Sequence, residues 1–109
     1  MAQAYKVLAQ SAPAATTSTD ILTVGAAKSA VGSTLVVCNR GTSASTYRVA
    51  VRPAGATLAN QHYIVYDAPV QAKDTVALSI GMTFATTDVL TVYASTANLS
   101  FTLFGTEVS

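Results

Sequence analysis

Few residues in this chain of 109 amino acids could carry out chemistry, and their spacing forms no recognisable catalytic or metal-binding motif. His62 is the only histidine and Cys38 the only cysteine. A catalytic nucleophile needs a neighbouring base, and a metal site needs several clustered ligands. The five acidic residues are instead spread along the chain: Asp20, Asp67, Asp74, Asp88 and Glu107. We therefore expect no enzymatic activity, no metal site and no cofactor.

The local sequence around these residues predicts structural roles. Three of the aspartates immediately precede apolar runs and one follows such a run, which is typical of turns in which the carboxylate accepts a backbone hydrogen bond. Cys38 ends the apolar run Leu35–Cys38, so we expect a small buried side chain and no disulfide within the chain. His62 begins another apolar run, and we expect it to be a partly exposed strand residue.

Composition limits the kinds of partner. Charged residues make up 10% of the chain and its net charge is +1, whereas an ordinary soluble domain has about 25% charged residues. The scattered basic residues predict no nucleic-acid interface. Arg48 and Arg52 can share one strand face, where a solvated face or ion pairing is expected. A surface this poor in charge favours a subunit whose apolar surface is covered by neighbouring copies over a monomer.

Two further classes of segment are not predicted. No apolar stretch is long enough to cross a membrane. The N-terminus lacks a basic segment followed by a long apolar one, so it does not resemble a signal peptide. Synthesis in a cytosol is therefore expected.

Apolar and polar residues alternate in runs separated by short turns, which is the pattern of half-buried β-strands. The clearest run is 75–80, in which Val76, Leu78 and Ile80 share one side. About eight such runs, spaced roughly 8–12 residues apart, predict one all-β domain over residues 1–109. The expected architecture is an antiparallel two-sheet β-sandwich, either jelly-roll-like or immunoglobulin-like. The predicted strands cover residues 5–10, 20–24, 34–39, 46–52, 61–66, 74–80, 88–94 and 99–104.

The connections between these strands give further expectations. The turns at 40–43 and 95–98 predict two hairpins. The segment 11–19 is rich in Ala, Ser and Thr and contains Pro13. This segment is either an ordinary loop or an extended arm that lies across a neighbouring copy.

The alternation leaves apolar side chains on both faces of several strands. If Leu90 and Val92 face the core, their neighbours on the same strand face away from it, and the same holds at the end of strand 99–104. Loops of the same chain could cover these outward residues, or they could form contacts between subunits, where Tyr and Phe are enriched. The candidate subunit interface consists of His62, Ile64, Tyr66, Val89, Tyr93 and Phe104.

Several segments, distributed over nearly the whole length of the chain, resemble small virion structural proteins of tailed bacteriophages. They are Tyr5–Thr17, Val37–Gly41, Tyr47–Pro53, His62–Asp67, Asp74–Leu78, Asp88–Ser95 and Phe104–Glu107. The resemblance implies a β-sandwich that assembles in many copies on a phage particle and carries no catalytic residues. It identifies a virion component better than a place on the virion.

The function implied by this resemblance is a capsid decoration, or cement, protein. Such a protein would be a homo-oligomer that binds the major capsid protein, made in the host bacterial cytoplasm and located in the virion. The alternative is a tail, baseplate or fibre-attachment subunit. A third interpretation is a host-surface glycan-binding module that uses Tyr63, Tyr66 or Tyr93.

Overall fold

The computed structural model describes residues 2–109, which form nine strands in two antiparallel sheets. The predicted all-β, two-sheet sandwich is confirmed. Short 3-10 turns at Pro53–Gly55 and Asn60–His62 are the helical elements of the described residues. The strands are β1 (Gln3–Ser11), β2 (Thr19–Thr23), β3 (Ser29–Asn39), β4 (Ser45–Arg52), β5 (Tyr63–Val70), β6 (Thr75–Leu78), β7 (Met82–Phe84), β8 (Val89–Ala94) and β9 (Leu99–Val108).

The strand order is that of a jelly roll. Sheet A has the order β1-β9-β3-β6, with β7 also paired to β3, and sheet B has the order β2-β8-β4-β5. Most consecutive strands therefore lie in different sheets, as in a double Greek key. The immunoglobulin alternative, in which several consecutive strands pair within one sheet, does not fit this order.

Both predicted hairpins are wrong for the same reason. The connections at 40–43 and 95–98 each join a strand of sheet A to a strand of sheet B. They lie side by side, and the Arg40 N–H donates to the Asn98 carbonyl at 2.9 Å. The Asn39 side chain donates to the carbonyls of Ser43 and Val70, which ties the first connection to sheet B. Polar turn residues thus mark a crossing between sheets here, and not a hairpin.

The core lies between the two sheets and follows the predicted alternation. Its largest fully buried residues include Leu35, Val49, Leu90, Leu99 and Phe101. Burial at this depth removes enough apolar surface from water to hold the sheets together, at roughly 1.5–3 kcal/mol for each large side chain.

Tyr47 packs in this core with its ring in edge contact with Phe101, at 6.2 Å between centroids. Burial raises the pKa of the Tyr47 phenol above its usual value. Ile80 lies beyond the end of β6 and is 52% exposed, so it leaves the predicted stripe.

Sheet A is longer than the sequence predicts because β3 begins at Ser29 and β9 continues to Val108. β7 was not predicted as a strand. Gly32 and Gly105 lie opposite each other in this extension. A side chain on Gly105 would clash with the Val31 carbonyl oxygen, so the two strands can approach only because the residue is glycine. Glycines that look like strand ends in the sequence are here packing positions inside the sheet.

The segment 12–18 connects β1 in sheet A to β2 in sheet B. Pro13 is buried, and the Thr16 N–H donates to the Ala94 carbonyl at 2.8 Å. Most other residues of the segment are exposed. Its role as an arm across a neighbouring copy stays a prediction.

Candidate assembly surfaces

The outer side of sheet A carries a contiguous group of exposed apolar side chains. Tyr5 is 85% exposed, while Val7, Val31 and Phe104 are each 43–44% exposed. Val7 lies opposite Phe104 in the β1–β9 pair, and Thr106 connects Tyr5 on one side to Val31 on the other. We call Tyr5, Val7, Val31 and Phe104 the apolar face.

Little charge interrupts this apolar face. Its polar neighbours are hydroxyl residues, among them Ser33 and Thr106. Lys6 also borders a surface groove that Phe104 lines. The Lys6 ammonium lies 3.4 Å from the Glu107 carboxylate, and the same carboxylate lies 3.7 Å from the Lys28 ammonium. These charges are therefore matched within the chain, and they oppose the approach of a second apolar surface only weakly.

The apolar face adjoins an open sheet edge formed by β1. β1 has nine residues and pairs with β9 on one side, and its stretch Gln3–Val7, which precedes a register shift between Val7 and Ala9, is exposed throughout. The other edges of the described chain are less open. β2, β6 and β7 have five, four and three residues, and β5 contains Pro69 and two register shifts. Long, uninterrupted edges are the ones that pair with other chains.

The outer side of sheet B carries a second aromatic group, built around Arg48. The Arg48 guanidinium lies between the rings of Tyr66 and Tyr93, at 4.3 Å from each ring centroid. Tyr63 meets Tyr66 edge to face at 5.0 Å between centroids. Arg48 also donates from Nε to Asp67 Oδ1 at 2.6 Å and from Nη2 to Asp67 Oδ2 at 3.2 Å. We call Arg48, Tyr63, Tyr66, Asp67 and Tyr93 the tyrosine–arginine cluster.

A β-bulge in β5 assembles this cluster. Between the pairs Tyr47–Ala68 and Val49–Val65, two residues of β5 lie opposite Arg48 alone. The second of them, Asp67, has a φ of 53°, and such a bulge redirects side chains locally. Alternation predicts opposite faces for Tyr63 and Tyr66, and the irregular register is why both lie on the outer side.

The electrostatics of the cluster follow from its ion pair. The hydrogen bond from Arg48 lowers the pKa of the Asp67 carboxyl, although desolvation opposes the shift. The same hydrogen bond raises the pKa of Arg48 above its usual range. The charge of Arg48 is thus matched inside the chain by one carboxylate and two tyrosine rings.

A second network lies on the same face. Arg52 donates to Asp20 at 2.8 Å and to the Ala56 carbonyl at 3.0 Å. Thr91 accepts from Arg52 at 3.1 Å and donates to Asp20 at 2.8 Å. Of the two expectations for Arg48 and Arg52, a solvated face or ion pairing, the structure shows ion pairing for both residues.

The six candidate interface residues divide into three groups. Ile64, Tyr66 and Phe104 are exposed, at 46%, 59% and 43%. Tyr93 is half-buried beneath Arg48. The prediction is wrong for Val89, which is 5% exposed, and for His62, which is 9% exposed.

The two errors have different causes. Val89 does face away from the core, but the 3-10 turn at Pro53–Gly55 packs over it. His62 lies in the other 3-10 turn, and its Nδ1 accepts the Ala59 N–H at 3.0 Å. Both residues are buried by local chain turns that the strand pattern does not reveal.

The candidates do not form one surface, because Phe104 lies on sheet A and the others belong to sheet B or its turns. The structure adds Tyr5, Val7 and Val31 to Phe104. The alternation of Tyr5 and Val7 in the first predicted strand was the available signal for these two residues, whereas Val31 lies outside the predicted strands and becomes part of the face because β3 begins at Ser29.

The side chains that could carry out chemistry instead make structural contacts. Asp88 accepts the backbone N–H groups of Ala54 and Ala85, and Asp74 accepts that of Thr75, as expected for turns. Cys38 is half-buried, and the prediction of a buried side chain is wrong because β3 directs it to the outer side of sheet A, opposite Ser100.

Residues 2–109 contain no cluster of three or more His, Cys, Asp or Glu side chains that could hold a metal ion. No helix in this range has the length and hydropathy to cross a bilayer. Comparison of the chain with protein-family models, curated proteins and solved structures finds no match.

Proposed function

We propose that the protein is a structural subunit of a tailed-bacteriophage particle that decorates the capsid in many copies and stabilises it. The observation that carries this proposal is the apolar face beside the open β1 edge. One copy leaves Tyr5, Val7 and Phe104 in water, and exposed apolar groups of this kind are typical of surfaces that another protein covers. The resemblance to small virion proteins supplies the phage context.

The proposed mechanism has two physical parts. Burying the apolar face contributes roughly 25 cal/mol for each Å² of apolar surface removed from water. Pairing at the β1 edge adds backbone hydrogen bonds. Each contact is modest, but a subunit that joins two neighbouring capsid proteins benefits from effective concentration, so many weak contacts reinforce a shell.

The strand order supports this proposal only by analogy. Jelly rolls occur in viral coat proteins, and they also occur in lectins and enzymes. Proteins with this fold therefore have several functions, and the function has to be argued from the residues of the site.

A particle experiment tests the proposal. We expect purified particles to contain the protein in a number comparable to the major capsid protein, and particles lacking it to release DNA at a lower temperature. Phe104→Asp should abolish incorporation, whereas Tyr66→Asp, an exposed aromatic on the other sheet, should not. Absence of the protein from particles, or equal loss with both variants, would contradict the proposal.

Labelled copies examined by electron microscopy decide between head and tail. Label distributed over the capsid supports decoration. Label confined to the tail, baseplate or fibre attachment would replace decoration with the alternative, a tail-associated subunit that uses the same apolar face.

One observation favours a second candidate, a glycan-binding module. Asn60, Tyr63 and Tyr66 line a shallow depression on sheet B, and Tyr66 is 59% exposed. Aromatic rings and an amide are groups that can hold a sugar. Binding on a glycan array that is lost in Tyr66→Ala, together with absence from the capsid, would favour this function.

A further inference from the structure

The hydrogen bonds at the end of β1 determine which of its backbone groups pair with β9. The Ala2 N–H donates to the Ser109 carbonyl at 2.7 Å, and the Ser109 N–H donates to the Ala2 carbonyl at 2.8 Å. Opposite residues in an antiparallel pair alternate between such bonded pairs and pairs without mutual bonds. The register is regular from here to Val7. The even-numbered residues up to Lys6 therefore bond to β9.

The odd-numbered residues have the opposite orientation. The backbone N–H and C=O groups of Gln3, Tyr5 and Val7 point away from β9, toward the open edge. Tyr5 and Val7 also carry their side chains on the apolar face. The open edge thus presents three residues with regularly spaced donors and acceptors, next to apolar side chains.

We propose that β1 pairs antiparallel with β1 of a second copy, around a two-fold axis at Tyr5. This inference rests on the proposed function, because it names the self-association that precedes binding to the particle. Tyr5 lies opposite the partner's Tyr5, and Gln3 lies opposite the partner's Val7. Three bonded pairs give about six hydrogen bonds. The axis is perpendicular to the sheet, so both apolar faces lie on the same side of one continuous sheet.

Charge favours this register over one of its two neighbouring registers. Lys6 lies opposite the partner's Ala4, which is small, and the residue beyond Ala4 on β9 is Glu107. Two strand spacings separate Lys6 from the partner's Glu107, about 9.6 Å, which the two side chains can span together. A register moved by one residue along each strand puts Lys6 directly opposite the partner's Lys6, and like charges in that position are destabilising.

Single cysteines test the register. Cys38→Ser removes the native thiol, and Tyr5→Cys then places one thiol on the axis. Bonded antiparallel pairs have Cα atoms about 5.5 Å apart, within the range that disulfides span. Mild oxidation should crosslink Tyr5→Cys with itself, whereas Gln3→Cys and Val7→Cys should crosslink only when mixed with each other. Self-crosslinking of Val7→Cys as fast as that of Tyr5→Cys would overturn the register.

Backbone pairing is tested without crosslinks by sedimentation equilibrium. Tyr5→Pro removes an N–H that β9 does not use, and proline is tolerated on edge strands. We expect it to raise the dimer dissociation constant by roughly tenfold or more. Tyr5→Thr keeps the N–H and should retain the dimer. Circular dichroism and thermal melting should show that both variants fold.

The outcomes separate this inference from the proposed function. A wild-type protein that stays monomeric at high micromolar concentration, or a folded Tyr5→Pro that dimerises as well as Tyr5→Thr, overturns the β1 pairing. Capsid incorporation of that monomer would leave the decoration function standing. A β1-paired dimer that is absent from particles would support the pairing and contradict the function.

Discussion

The two outer faces of the sandwich use aromatic residues in opposite ways. On sheet B, Tyr66 and Tyr93 stack on Arg48, whose charge is matched by Asp67. On sheet A, Phe104 lies beside Val7 and other apolar or hydroxyl side chains. An exposed aromatic ring is therefore ambiguous by itself. Its meaning depends on whether the chain provides the ring with a partner.

The largest contrast lies within one strand. Phe101 is 1% exposed and Phe104 is 43% exposed, although only two residues separate them in β9. We expect Phe101→Ala to reduce the free energy of unfolding by about 3–5 kcal/mol, because it leaves a cavity in the core. Phe104→Ala should cost less than about 1 kcal/mol. Urea denaturation of the two variants measures the difference, and equal losses would mean that Phe104 belongs to the core.

A smaller effect is expected on the sheet B face. Arg48→Met keeps much of the aliphatic side chain but removes the charge that holds Tyr66, Tyr93 and Asp67 together. We expect the melting temperature to fall by a few degrees and the circular dichroism of the tyrosines to change. Lys73→Met removes one positive charge from the exposed turn between β5 and β6 and serves as the control. An unchanged melting temperature in Arg48→Met would show that the cluster is not stabilising.

The sequence alone predicts the sandwich and most of its core. The stripe Leu99, Phe101 and Leu103 is fully buried as the alternation requires, because period two gives the side of a sheet directly. The sequence does not predict which sheet each strand joins. The connections at 40–43 and 95–98 have the residues of hairpin turns, and the choice between a hairpin and a crossing depends on packing between distant strands.

The site was less predictable than the fold because it depends on irregular backbone. The bulge that brings Tyr66 and Asp67 to Arg48 arises from the pairing of β5 with β4. The burial of Val89 and His62 arises from 3-10 turns. Strand alternation predicts neither the bulge nor the turns. It therefore correctly predicts that Phe104 is exposed, and it fails for residues that lie beside turns.

A charge on the apolar face should affect association much more than folding. Phe104→Asp introduces a carboxylate at a position that is already 43% exposed, so it stays hydrated. We expect the free energy of unfolding to change by less than about 1 kcal/mol, while binding of a hydrophobic dye falls severalfold. Tyr66→Asp should leave dye binding nearly unchanged. Dye binding that depends on Tyr66 and not on Phe104 would reverse the proposed roles of the two faces.

The smallest expected effect is a dependence of stability on acid pH that comes from Asp67. Its pKa is lowered in the folded protein by the hydrogen bond from Arg48, whereas the unfolded chain has the ordinary value of 3.8. As the pH falls below about 4, the unfolded state takes up a proton before the folded state does, so stability decreases. Half-exposed ion pairs contribute little, and salt weakens them.

Double-mutant analysis isolates this contribution from the other carboxylates. The difference in melting temperature between wild type and Asp67→Asn should shrink as the pH is lowered from 7 toward 3. The same substitution in an Arg48→Met background should give no such pH dependence, because the partner that lowers the pKa of Asp67 is gone. If the pH dependence persists without Arg48, the ion pair is not its source. Charge pairing would then no longer distinguish the outer side of sheet B from the apolar face.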